Sequence, residues 1–226
     1  QKKKVEEPVN VIPVSERPYL QIIPETDGRN ITIQVISLKK PADSVDFELE
    51  YQAGELLQGV FGTMSLTSLP ASDTQLMGSC SAGGKCSYHE NVQGGTLLTR
   101  YTGAENYALK SDWKYIDNTA GEKEISSKDA KFQLSSDDIS TNRYLVIFND
   151  AGYPDGLEGT LNSEIYSLTS SSPLKGSAEL TIRAHEDGST AIMGYDGESW
   201  KRFEGSVDGK AITAQVDLME LYVAVR

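Results

Sequence analysis

Residues 179–226 constrain this chain more than any other part of it, because short alternating runs there are separated by turn signals. Residues 179–184 alternate apolar and polar side chains and end on His185-Glu186-Asp187-Gly188. Residues 189–195 return and stop at Asp196-Gly197; residues 200–207 stop at Asp208-Gly209; residues 210–216 and the closing Leu221-Tyr222-Val223-Ala224-Val225 follow. Asp-Gly pairs accept the positive φ that tight turns demand, so alternating runs joined by them read as hairpins. The segment therefore predicts consecutive β-hairpins and an all-β chain.

The rest of the sequence has the same grain. Residues 19–24, 30–38 and 45–51 alternate, with turns at Asp27-Gly28 and at Lys40-Pro41-Ala42-Asp43. Residues 56–69 continue as strand or mixed structure, and 70–95 read as a glycine-rich loop. Residues 96–101, 107–109 and 113–116 resume the strand pattern, with a turn at 103–106. Runs at 131–134, 144–149 and 164–168 lead into the terminal hairpins. A chain of 226 residues fits one large β domain or two of about 100–120 residues each, and the second division is the one the sequence favours. The polar stretch 117–129 marks the boundary between them. The expected organisation is a tail over 1–17, a β-sandwich over 18–120 and a second over 125–226. Both are of immunoglobulin-like or jelly-roll type.

Charge limits the partners. The net charge of -12 repels phosphate backbones and disfavours nucleic acid. No apolar run approaches the roughly 20 residues that span a bilayer as a helix, so no membrane insertion of the mature chain is expected. The sequence opens on Gln1 rather than Met, which fits a processed, exported protein. Its two cysteines, Cys80 and Cys86, flank Ser-Ala-Gly-Gly-Lys, a stretch flexible enough to bring the sulfurs together. The pair reads as a disulfide formed in an oxidising compartment. Structural zinc would need a second ligand pair.

The tail changes character along its length. Residues 1–8 are polar and linker-like, whereas Val9, Val11, Ile12 and Val14 form a β-branched run interrupted by Pro13. Proline inside such a run suits an edge or exchanged strand.

Two resemblances accompany these readings. Val45-Asp46-Phe47-Glu48-Leu49-Glu50-Tyr51, followed by Gly54 and Gly59-Val60-Phe61, resembles the early strands of cohesin-like and other immunoglobulin-like bacterial surface domains. That resemblance implies a sandwich used for binding or scaffolding. Ser163-Glu164-Ile165-Tyr166-Ser167-Leu168, Ala178-Glu179-Leu180-Thr181-Ile182, Tyr195-Asp196-Gly197-Glu198-Ser199-Trp200, Ile212-Thr213-Ala214-Gln215-Val216 and Tyr222-Val223-Ala224-Val225 resemble the end of the β-sandwich domain shared by ankyrins and netrin receptors. Some members of that family cut themselves at a His-Phe-Ser-like motif before the last strand. Here the region reads Asp217-Leu218-Met219-Glu220-Leu221, without His or hydroxyl nucleophile, so self-cleavage is not expected.

Chemistry-bearing residues are sparse. His89 follows Cys86 closely, but a disulfide removes the thiolate that a Cys–His pair needs, leaving a surface-loop histidine. His185 reads as a solvated turn residue. No nucleophile elbow, zinc-protease helix or phosphate-binding glycine loop occurs. The segment Asn149-Asp150-Ala151-Gly152-Tyr153-Pro154-Asp155-Gly156-Leu157-Glu158 offers Asp150, Asp155 and Glu158 as oxygen ligands for calcium, the one metal the sequence suggests. The same residues also serve plain turns. Trp113, Trp200 and the 11 tyrosines could stack on sugars or pack a core. Asn30-Ile31-Thr32 is an N-glycosylation acceptor in a host that modifies exported chains.

The sequence thus leads to a non-enzymatic extracellular or cell-surface protein without a cofactor, structural or adhesive in role. Its expected partner is itself or another surface protein. A filament joined by addition of the strand carrying Val9, Val11, Ile12 and Val14 is the first reading. A carbohydrate- or protein-binding module of a cell-surface system is the alternative.

Overall fold

The computed structural model describes residues 8–226, whose regular structure is antiparallel β except for two 3₁₀ turns, Val14–Glu16 and Asp138–Thr141. The first half forms β1 (Tyr19–Pro24), β2 (Asn30–Ser37), β3 (Ser44–Ala53), β4 (Leu56–Ser65), β5 (Ala71–Leu76), β6 (Gly78–Cys80), β7 (Cys86–Tyr88), β8 (Val92–Thr102) and β9 (Tyr107–Asp117). The second forms β10 (Glu124–Ser126), β11 (Phe132–Ser135), β12 (Tyr144–Asp150), β13 (Ile165–Ser170), β14 (Ser177–Arg183), β15 (Ala191–Tyr195), β16 (Trp200–Glu204), β17 (Ser206–Asp208), β18 (Ala211–Asp217) and β19 (Leu221–Val225). The all-β sandwich expectation holds.

One sheet of nine strands, ordered β16-β15-β19-β13-β12-β9-β8-β3-β4, runs through both halves. A three-stranded sheet (β1-β2-β5) and a five-stranded sheet (β10-β11-β14-β18-β17) pack against it. The side-chain alternation of β12 shows how. Val146 and Phe148 enter the core beneath the three-stranded sheet, with Ile22, Ile31, Ile33, Phe47, Leu49, Leu97 and Trp113. Leu145 and Ile147 enter the core beneath the five-stranded sheet, with Phe132, Leu134, Leu180, Ile182, Tyr166 and Tyr222. Successive strand residues face opposite ways, so the two covering sheets lie on opposite faces of the long one. A third cluster, Tyr19 with Ile165, Met193, Leu221, Val223 and Val225, fills the first face beyond β1.

The halves are therefore two sandwiches fused through a shared sheet, not units strung on a linker. The chain does change sheets in 117–129, but β12 then returns to pair with β9, from Tyr144 opposite Asp117 to Phe148 opposite Trp113. Asp129 locks this junction by accepting hydrogen bonds from Ser127 Oγ (2.5 Å), Lys131 N (3.1 Å), Tyr166 Oη (3.1 Å) and Asn149 Nδ2 (3.2 Å). Burial pushes its carboxyl up, yet these donors outweigh burial and hold it below the usual range.

Three details differ from the sequence reading. Residues 70–95 contain β5 and the short β6–β7 hairpin, where a loop was expected. The expected hairpin across 185–188 is an arch: β14 pairs β11 and β18, whereas β15 pairs β16 and β19 in the other sheet. The run 200–207 also divides at Gly205 between the two sheets. A side chain at Gly205 would meet the Thr213 carbonyl at 2.5 Å, so the crossing needs a glycine. The turns at Asp196-Gly197 and Asp208-Gly209 do close hairpins, pairing Tyr195 with Trp200 and Asp208 with Ala211.

The tail residues 8–17 fold onto their own chain. Asn10 N donates to Ala108 O (2.9 Å) and its side chain bonds Lys110 O (2.9 Å) and Lys110 N (3.0 Å), occupying the β9 edge beyond the end of β12. Arg17 ties the segment back by donating to Ile12 O and Asn10 O. Val9, Val11, Ile12 and Val14 form no strand; Ile12 and Val14 are half-buried and Val11 is exposed. Residues 1–7 of the expected tail lie outside the described residues.

Candidate functional site

At one end of the first sandwich, a cleft of about 460 Å³ opens between the β1–β2 turn, the segment after β7, and the ends of β9 and β12. That volume lies in the range of small-molecule sites. Each wall is fixed locally. Asp27 accepts from Arg29 N (2.8 Å), Asn30 N (2.9 Å) and Asn30 Nδ2 (2.5 Å), setting the turn. Burial pushes the Asp27 carboxyl up, but these donors win and hold it low. Gly28 sits at φ +64 on the Tyr144 ring, where an added Cβ would fall 2.3 Å from ring carbon.

The opposite wall depends on the disulfide. Cys80 and Cys86 are bonded, as expected, and close the β6–β7 hairpin. From it emerge Tyr88, whose ring lies 4.1 Å beneath the Arg29 guanidinium, and His89. His89 lies in a surface loop, and its ring is anchored there. Its ring is half-buried, with Nδ1 2.9 Å from Tyr51 Oη, and its backbone N–H donates to Met77 O. Burial lifts the Tyr51 phenol to about 12, so it stays protonated beside the imidazole.

Tyr115, Asp117 and Tyr144 line the third wall. Asp117 pairs with Arg143 at 2.7 Å. Burial raises its carboxyl, but Arg143 and Thr119 outweigh that and keep it anionic. Arg143 also lies over the Tyr144 ring. The Tyr115 hydroxyl is buried and has no hydrogen-bond partner among the described residues. A buried hydroxyl left unpaired costs about 1–3 kcal/mol, a cost the fold carries at this wall.

The other sequence candidates are dispersed. Asp150 is buried; its Oδ1 accepts from Leu20 N and Gly152 N at 3.4 Å, and burial holds its carboxyl well above the usual range. Asp155 is exposed and pairs with Lys39 at 3.1 Å, and Glu158 is exposed. Among the described residues no group of three or more His, Cys, Asp or Glu is placed to hold a metal ion. Trp113 is fully buried and donates to Glu50 O, while Trp200 packs on Tyr195 and donates to Asp155 O. The tryptophans thus form no exposed platform; tyrosines line the cleft instead. His185 lies in an exposed turn, 3.2 Å from Glu164. The Asn30 side chain is engaged by Asp27. No helix among the described residues is long and apolar enough to cross a membrane.

Sequence reading singled out His89 and the tyrosines as a class, but missed Asp27, Arg29, Asp117 and Tyr144 as one site. Their only local signal was Tyr88-His89-Glu90-Asn91 directly after the disulfide loop. Comparison with known protein families, with curated proteins and with solved structures finds no match.

Proposed function

We propose that this chain is an extracellular, non-enzymatic binding module of a cell-surface system whose cleft takes a carbohydrate. One observation carries the reading: the cleft sets tyrosine rings beside fixed carboxylates, a guanidinium and an imidazole. Aromatic faces accept the C–H face of a sugar, and fixed polar groups accept and donate to its hydroxyls. The cohesin-like character of the β3–β4 region agrees with a binding role.

Calorimetric titration against a panel of neutral and acidic oligosaccharides tests this. Saturable binding, weakened at least about tenfold by Tyr88→Ala or Asp117→Asn with the fold intact, is the expected result. No heat with any member of the panel would sink it.

A structural or adhesive subunit joined through its tail is the second reading, and the Asn10 contact favours it. The three Asn10 bonds to β9 would be preserved if the segment crossed to a neighbouring copy. Deletion of residues 1–17 then abolishes assembly while leaving the sandwiches folded; unchanged assembly counts against it.

A further inference from the structure

We infer that the outer edge of β4 is a self-association surface at which two copies of this chain pair antiparallel about a two-fold axis at Gly59. β4 ends the nine-stranded sheet, and no strand pairs with its outer side among the described residues. Exposed edges are usually guarded by charge, proline or brevity. The other end of the same sheet follows that rule, since β16 reads Trp-Lys-Arg-Phe-Glu. β4 has 10 residues, Leu-Leu-Gln-Gly-Val-Phe-Gly-Thr-Met-Ser, with neither charge nor proline. Three of its apolar side chains face solvent: Leu56 at 64%, Leu57 at 66% and Phe61 at 66% exposure.

A second copy fits this edge better than an unrelated strand, for two reasons. The first is register. Leu57, Gly59 and Phe61 project to the same face, opposite Gln52, Glu50 and Glu48 of β3. A two-fold at Gly59 sets Phe61 of each copy against Leu57 of the other, with the two glycines leaving room between these pairs. The second reason is charge. Each chain carries -12, so copies repel over most of their surface. Here the nearest carboxylates on this face, Glu48 and Glu50, stand one strand back. Three strand spacings, about 14 Å, would separate the two Glu50 residues, and the two Glu48 residues would lie about 20 Å apart, both beyond the ~8 Å screening length at physiological salt. Pairing would join two nine-stranded sheets into one.

Light scattering of the full chain across the micromolar range reads the association. The expected mass rises towards twice 24.7 kDa with concentration. Phe61→Lys or Leu57→Lys should weaken it at least about 30-fold, the loss typical of a central interface residue, without changing the circular dichroism spectrum. Gly59→Cys reads the register. A Cβ at Gly59 meets only Phe61 and Leu49 O, at 3.6 and 3.7 Å, so the substitution fits. Across a two-fold the Cα atoms at 59 lie about 5 Å apart, within disulfide reach, whereas those at 61 lie about 14 Å apart. Gly59→Cys should therefore oxidise to a covalent dimer and Phe61→Cys should not. Persistence of the dimer after deletion of residues 1–17 separates this edge from exchange of the tail. A chain that stays at 24.7 kDa throughout, a dimer indifferent to Phe61→Lys, equal cross-linking at 59 and 61, or loss of the dimer with the tail would each overturn the inference.

Discussion

The two sandwiches treat their buried tyrosines differently. Beneath the five-stranded sheet, Tyr166 donates to Asp129, and Tyr222 donates to Asp217 O while accepting from Met219 N at 2.6 Å. Beneath the three-stranded sheet, Tyr51 and Tyr107 are hydrogen-bonded to His89 and to Lys40 O, but the Tyr101 and Tyr115 hydroxyls have no partner among the described residues. That same sandwich contains the cleft, the disulfide hairpin and the uncharged edge. The five-stranded side, with its tyrosine hydroxyls satisfied, is a structural foundation, and the three-stranded side carries the cleft.

The largest effect should come from the foundation. Phe132 is fully buried between Tyr166 and Tyr222, with ring centroids 5.2 and 5.8 Å away. Phe132→Ala should cost about 3–5 kcal/mol in urea unfolding. Because β12 feeds both cores, Trp113 fluorescence in a Trp200→Phe background should shift by the same amount, although Trp113 lies in the other sandwich. Two separate transitions would break the comparison by making the halves independent.

Next in size is a matched pair of hydroxyl deletions. Tyr222→Phe orphans the Met219 N–H and should cost about 1–3 kcal/mol. Tyr115→Phe removes a buried hydroxyl with no partner and should stabilise the fold by about 1–3 kcal/mol, opposite in sign to Tyr222→Phe. Equal costs at the two positions would erase the distinction between satisfied and open groups.

The smallest effect at acid pH belongs to Asp150→Asn. Burial raises the native Asp150 carboxyl well above its unfolded value, so the folded state binds the extra proton. Its contribution is fully present below the unfolded carboxylate pKa and is lost as pH rises through the raised native value. Asp150→Asn should therefore be nearly neutral in acid and increasingly stabilising towards neutral pH. Chemical denaturation at several pH values checks this, and an effect independent of pH would mean that Asp150 is ionised in the fold.

Strands and tight turns were legible because both are local. Asp196-Gly197 and Asp208-Gly209 announce hairpins through φ alone. Sheet membership was not legible. β14 and β15 alternate in the same way whichever sheet they join, so the arch over 185–188 looked like a hairpin. β5 escaped notice because Ala-Ser-Asp-Thr-Gln-Leu has little apolar content; it is an edge strand, half-exposed throughout. The cleft was the least legible part. Asp27, His89, Asp117 and Tyr144 meet only because β1–β2, β7, β9 and β12 end at one place, and nothing in their spacing encodes that.

The position of β19 has a consequence for biogenesis. It lies between β13 and β15, paired to both, with Leu161 bridging to Val225 alongside. The long sheet therefore cannot be completed until the segment ending at Val225 has left the ribosome. Until then β13 and β15 lack the strand that joins them. A chain so ordered holds its two halves of the long sheet apart until its last strand is in place.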